Sequence, residues 1–163
     1  MKRILGIDPG LNTTGYGIID VSSGRIRLCE AGVIRSRMKA SLAEKVKEIH
    51  DGVCEVIDDH RPDVVVMEEL YSHYDHPMAA IQMGHARGCI CLAAAQANIA
   101  VTSYSATKIK KSLTGNGHAS KEQIQRAIQL LLGLEKPPEP PDVADALAVA
   151  LCQGEYGRCT ANK

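Results

Sequence analysis

The chain has no tryptophan and no phenylalanine, and its only aromatics are five tyrosines. Any aromatic contact to a ligand must therefore come from a tyrosine. Net charge is absent too: 19 basic residues balance 19 acidic ones, which excludes a protein that coats nucleic acid by charge alone. Nor is there a long apolar run. The longest, Cys89 to Val101, is broken by Gln96 and Asn98, too short for a bilayer span, and reads as a core helix running into a strand. The apolar segment after Met1-Lys2-Arg3 is too brief for a signal-peptide core, so a cytoplasmic protein is expected. Six cysteines (29, 54, 89, 91, 152 and 159) without a secretory signal are expected as reduced thiols. Cys89 and Cys91, two apart on a helix, cannot clasp one metal together and are expected as small core fillers.

What is present suffices for one core. At 163 residues, with 45% hydrophobic and 23% charged residues, the chain has the size and balance of one globular domain. The expected domain spans residues 1–154, with 155–163 a flexible tail.

Apolar runs at Arg3 to Asp8 and Thr14 to Asp20, with a third strand within Arg25 to Arg35, are joined by short turns and predict an antiparallel meander. From Ser41 to His60, apolar residues at 42, 46, 49, 53 and 56 mark one helix face, closed by Arg61-Pro62. Asp63 to Met67 is almost continuous Val, as in a strand buried on both faces. Reaching it through a helix predicts a parallel strand added by a right-handed crossover. A helix over Met78 to Ala97, a strand over Ala100 to Tyr104 and a basic helix over Lys108 to Leu113 follow. A capping box at Ser120 then opens a helix through Leu132. After the proline-rich stop at 137–141, a final helix is expected from Val143 to about Cys152. The fold class is α/β: a mixed five-stranded sheet, meander plus parallel strands, flanked by helices.

Asp8 and Glu68 fall at the carboxyl ends of the first and fourth strands, the edge where open α/β sheets place ligands. Asp142 and Asp145, three apart at a helix start, share a face. Taken singly, Asp8 before Pro9-Gly10 is a good turn residue, Asp142 a good helix N-cap, and Glu68 and Glu69 an ordinary polar strand end. Taken together, four converging carboxylates repel one another unless a cation supplies opposing charge, and oxygen donors select Mg²⁺ or Mn²⁺. Two such ions would activate a water and stabilise the leaving oxygen in phosphodiester hydrolysis. Between Lys108 and Lys136 six Lys/Arg face two Glu, while 51–75 is acidic; an acidic pocket beside a basic rim suits a nuclease. His73 and His76 lack a third ligand and are left out of the site. His118 is expected to meet solvent or phosphate, and Tyr71 to stack on an unpaired base or to anchor a loop.

Ile4-Leu5-Gly6-Ile7-Asp8-Pro9-Gly10 with Thr14-Gly15-Tyr16-Gly17 resembles the opening of the RuvC family of Holliday junction resolvases. Met67-Glu68-Glu69-Leu70-Tyr71, Gly84-His85-Ala86-Arg87-Gly88, Lys110 to Lys121, and Asp142-Val143-Ala144-Asp145-Ala146-Leu147-Ala148 follow in the family's order, so the likeness covers nearly the whole chain. The resemblance implies a ribonuclease H-like fold and a homodimer that makes paired, symmetric nicks in four-way junction DNA. It implies two Mg²⁺ per site, with Mn²⁺ as an alternative, and a branch-migration motor of the RuvA and RuvB type as partner. Asp8, Glu68, Asp142 and Asp145 become the catalytic metal carboxylates, Tyr71 the stacking aromatic, and Lys110 and Lys121 the phosphate contacts; Lys108 and Lys111, in the same basic run, are expected to contact DNA as well. Two other readings stand beside it: a phosphate-binding fragment of actin-like type, and a junction-binding module without catalysis.

Overall fold

The computed structural model describes residues 1–70 and 77–160, of which 156–160 by backbone alone. Tyr71, His73 and His76 lie outside the described residues. The elements are β1 (Lys2–Asp8), β2 (Thr13–Ser22), β3 (Arg25–Arg35), α1 (Leu42–His60), β4 (Val64–Glu68), α2 (Pro77–Gln96), β5 (Ala100–Tyr104), α3 (Ala106–Thr114), α4 (Lys121–Leu132) and α5 (Pro141–Thr160).

The five strands form one sheet in the order β3-β2-β1-β4-β5. β1 to β3 pair antiparallel, whereas β4 adds parallel to β1 and β5 parallel to β4. The β2–β3 turn uses Ser23 and Gly24 at φ of 48° and 78°, the two positive values that a tight hairpin matching strand twist requires. Helix ends follow from local chemistry. Ser41 and Glu44 cap α1 reciprocally, and Arg61 ends it in a left-handed conformation before Pro62. Ser120 and Gln123 form the same box on α4.

Strand alternation sorts the core into two layers. Ile4, Ile19, Val64 and Val66 pack with α3, α4 and α5, whereas Leu5, Ile7, Ile18, Val65 and Met67 pack with α1 and α2. α5 is buried on nearly every side from Val143 to Cys152, because the sheet lies beneath it and α3 and α4 lie beside it. Such a helix needs apolar residues all round, and its sequence supplies them.

The structure corrects three expectations. α5 continues to Thr160, beyond the predicted end near Cys152. Cys91 is exposed while Cys89 is buried, because the two do lie on different faces of α2 and only one face meets the core. The described part of the acidic stretch, 51–70, makes no single patch: Asp51 pairs with Lys47 on α1, and Asp63 accepts from the Arg3 amide at the far end of the sheet. Among the described residues five cysteines are free, and no helix is long and apolar enough to cross a membrane.

At that far end Asp20, 4% exposed, accepts from Arg3 Nε at 2.8 Å and Nη2 at 2.9 Å. The guanidinium holds the Asp20 carboxyl well below the usual carboxylate range. A depressed folded pKa gives stability that is present above the unfolded pKa of about 3.9 and lost as pH falls below it. Asp20→Asn leaves Arg3 without its counter-charge and is expected to cost about 3 kcal/mol at pH 7. Urea unfolding at pH 7 and pH 3 checks this; the penalty should shrink at the lower pH, and an equal penalty at both would show that packing, not charge, sets it.

Candidate active site

The register of two adjoining parallel strands brings the first two acids together. Ile7 of β1 pairs with Met67 of β4, so the next residues, Asp8 and Glu68, stand side by side at the carboxyl edge. Ile4 and Gly6, and Val64 and Val66, face α5. By the two-residue period Asp8 and Glu68 face it as well.

α5 reaches them because glycines let it lie almost on the backbone. Gly15 is the cross-strand partner of Asp8, and a Cβ there would come within 2.1 Å of the Asp142 carbonyl oxygen. A Cβ at Gly6 would meet the Ala146 carbonyl at 2.2 Å. The first turns of α5, with Asp142 and Asp145, are thereby pressed over the end of β1. The loop after Asp8 is fixed by Thr14, whose hydroxyl donates to the Gly10 carbonyl at 2.8 Å and accepts from the Gly10 amide.

Electrostatics registers the crowding. The Asp8 carboxyl is pushed up to about 7, first by burial, then by the charges of Asp145, Asp142 and Glu68, with Lys121 opposing. Glu68, solvent-accessible overall but partly desolvated by the walls of the cleft, is raised first by that desolvation and then by Asp145, with Lys110 and Arg87 opposing. Among the described residues, no group of three or more His, Cys, Asp or Glu is placed to hold a metal ion as the side chains stand. The donor set nonetheless fits a hard divalent cation: its ligands are oxygens, and a cation is the charge that these mutually repelling acids need.

A cleft opens beside the acids, floored by Ile109, Ile124 and Ala148 and rimmed by Glu68, Asp145, Lys110, Lys121 and Gln125. Lys121 Nζ lies 3.5 Å from Asp145 Oδ2. Of the four lysines singled out from sequence, the fold brings Lys110 and Lys121 to this cleft. Lys108 instead sits 4.5 Å from the ring centroid of Tyr104, and Lys111 is exposed near the end of α3. His118 is exposed. The sequence reading missed Gln125 and Arg87. Arg87 left a signal, being the only Asp, Glu, Lys or Arg in α2.

Comparison with known proteins shows the family and the fold. A family model described as crossover junction endodeoxyribonuclease RuvC matches residues 4–153. The crossover junction endodeoxyribonuclease RuvC of Rhodopirellula baltica is 56% identical over 153 residues, covering 94% of this chain and 85% of its own. That of Legionella pneumophila (strain Corby) is 42% identical over 152 residues, covering 93% and 86%. Among solved structures, Thermus thermophilus RuvC in complex with a Holliday junction superposes with a TM-score of 0.91 at 34% identity, covering 98% of this chain and 97% of that one. The yeast mitochondrial Holliday junction resolvase Ydc2, at 11% identity and a TM-score of 0.72, covering 99% and 82%, shares the fold. This chain belongs to the RuvC family of crossover junction endodeoxyribonucleases.

Proposed function

We infer that this chain is a DNA endonuclease that resolves four-way junctions, and we propose Asp8, Glu68, Asp142 and Asp145 as the carboxylates that hold its divalent metal. The observation that carries the reading is the meeting of Asp8 and Glu68 at adjoining strand ends under the first turns of α5. Nucleases of this family are metal-dependent; Mg²⁺, two per site, is the proposed cofactor, with Mn²⁺ as a substitute. Bound there, the ions supply Lewis-acid chemistry for phosphodiester hydrolysis. The residues of the chain do the rest. The strand ends orient Asp8 and Glu68, the buried α5 presents Asp142 and Asp145, and the lysines at the rim attract and seat the phosphate backbone. Incubating the protein with Mg²⁺ and a synthetic four-way junction tests the function: paired nicks in strands of like polarity are expected, with linear duplex spared. Tight junction binding without cleavage would favour the non-catalytic module instead.

Lys110 and Lys121 are the proposed phosphate contacts, since they rim the cleft that holds Glu68 and Asp145. Tyr71 remains a proposed contact on the strength of the family resemblance, and Lys108 and Lys111 as members of the basic run that holds Lys110. Lys110→Ala and Lys121→Ala should each lower the slope of log affinity against log salt by roughly 0.9 for duplex DNA arms. Unchanged slopes in both would make these lysines a solvated face.

A junction presents two equivalent strands, so a two-fold dimer would place matched sites on both. The outer face of α2 suits that contact: Ile81 and Leu92 are 51% and 52% exposed, and open space stands over Gly84 and Gly88. Light scattering at micromolar concentration should give twice the chain mass. A strict monomer that still cuts both strands in one binding event would contradict the dimer. The family also implies a RuvA- and RuvB-type motor as partner.

A further inference from the structure

Arg87 is the one charged side chain of α2 of the Asp, Glu, Lys or Arg types, and it reaches across the ends of two strands. Its Nη1 donates to the carbonyl oxygen of Glu68, and its Nη2 donates to Ser103 Oγ of β5 at 3.3 Å. The Glu68 carbonyl and the Glu69 amide belong to one peptide plane, and that amide donates to the Tyr104 carbonyl at 2.8 Å. The plane is thus held at its oxygen by Arg87 and at its nitrogen by β5.

Glu68 is where such a clamp has an effect. It is the last residue of β4, and the pairing of β4 with β1 ends one residue earlier at Met67. Rotation about the Cα–C bond of Glu68 would otherwise be restrained from β5 alone, and its Cα sets the direction of the carboxylate. A guanidinium holds two acceptors in a fixed fork, which an ammonium does not. The charge of Arg87 also favours the ionised form of Glu68.

We propose that Arg87 is a positioning residue: by fixing the Glu68–Glu69 peptide against β5, it sets the Glu68 carboxylate for metal binding. The inference rests on the reading of Glu68 as a metal ligand. It is tested by calorimetric titration of the DNA-free protein with Mn²⁺, comparing wild type, Arg87→Gln, Arg87→Lys and Glu68→Gln, with melting curves to establish that each is folded. Groups that orient a metal ligand typically account for 10- to 100-fold in affinity, so Arg87→Gln should weaken Mn²⁺ binding roughly tenfold, with Arg87→Lys recovering part of the loss. Should Arg87→Gln fail to fold, the charge-retaining Arg87→Lys carries the test through its own loss of affinity. Folded Arg87 variants that bind Mn²⁺ as the wild type does, alongside a weakened Glu68→Gln, would overturn the positioning role and leave the metal reading standing. Full recovery in Arg87→Lys would overturn the fork in favour of charge alone. Wild-type Mn²⁺ affinity in Glu68→Gln would remove the metal reading itself, and the inference with it.

Discussion

Asp145→Asn should abolish cleavage of a four-way junction, by roughly 10³-fold or more, about 4 kcal/mol of barrier, while junction binding in Ca²⁺ persists. Asn keeps the size of the side chain and removes its charge. The substitution does not touch the core: Asp145 projects from α5 with 46% of its side chain exposed, between the buried Ala144 and Ala146. What changes is the field at the site. Asp145 is the neighbouring acid that most raises both Asp8 and Glu68, so removing its charge relieves its repulsion of them and gives up only an exposed ion pair with Lys121, worth at most about 1 kcal/mol. The metal-free variant should therefore melt no lower than wild type at pH 8, because above the raised pKa of Asp8 the folded state carries that repulsion in full. Junction cleavage is read in Mg²⁺ and melting in EDTA. Lost cleavage with undiminished melting separates a functional charge from a structural one, and cleavage near the wild-type rate would sink the assignment of Asp145.

Much of this arrangement could be read before the fold was seen. The meander, both parallel additions and all five helices follow from period and from capping residues such as Ser41, Ser105 and Ser120, whose hydroxyls accept amides in the first turns they precede. The strand-end logic that joined Asp8 to Glu68 needs only that β1 and β4 be neighbours, which a right-handed crossover favours. The end of α5 was not legible, since beyond Cys152 the apolar pattern that marks the helix gives way to Gln153, Gly154 and Glu155 while the backbone hydrogen bonding continues to Thr160.

Side-chain destinations were harder to read. Four lysines in one stretch look alike in sequence, yet α3 turns Lys108 toward Tyr104 and Lys110 toward the acids, because residues two apart on a helix point to nearly opposite faces. Arg87 could be noticed as a lone charge in an Ala- and Gly-rich helix, but its acceptor is a backbone carbonyl, and a carbonyl has no residue-type signature. The closeness of α5 to the sheet was likewise hidden, because Gly6 and Gly15 read as strand glycines until the helix is seen lying on them.

Glu68→Gln should lose cleavage by orders of magnitude and Glu69→Gln by less than about tenfold, or ~1.4 kcal/mol of barrier. The two residues are adjacent, carry the same charge and are both exposed, so composition does not separate them. Apolar alternation along β4 does not either, because Val64 to Met67 is buried on both faces. What separates them is which layer each face meets. Val64 and Val66 belong to the cluster with α5, and Val65 and Met67 to the cluster with α1 and α2. Continuing the two-residue period sends Glu68 toward Asp145 and Glu69 away from it. The charges agree: Glu68 acts on Asp8 together with Asp142 and Asp145, and Glu69 contributes a backbone amide to the Tyr104 carbonyl at the strand end. Gln conserves size and keeps one acceptor oxygen in both variants, so single-turnover cleavage at saturating protein reads chiefly the loss of charge. The reverse ranking would mean that β4 lies one residue out of register, and Val64 and Val66 would then have to leave the α5 side of the core with Glu68.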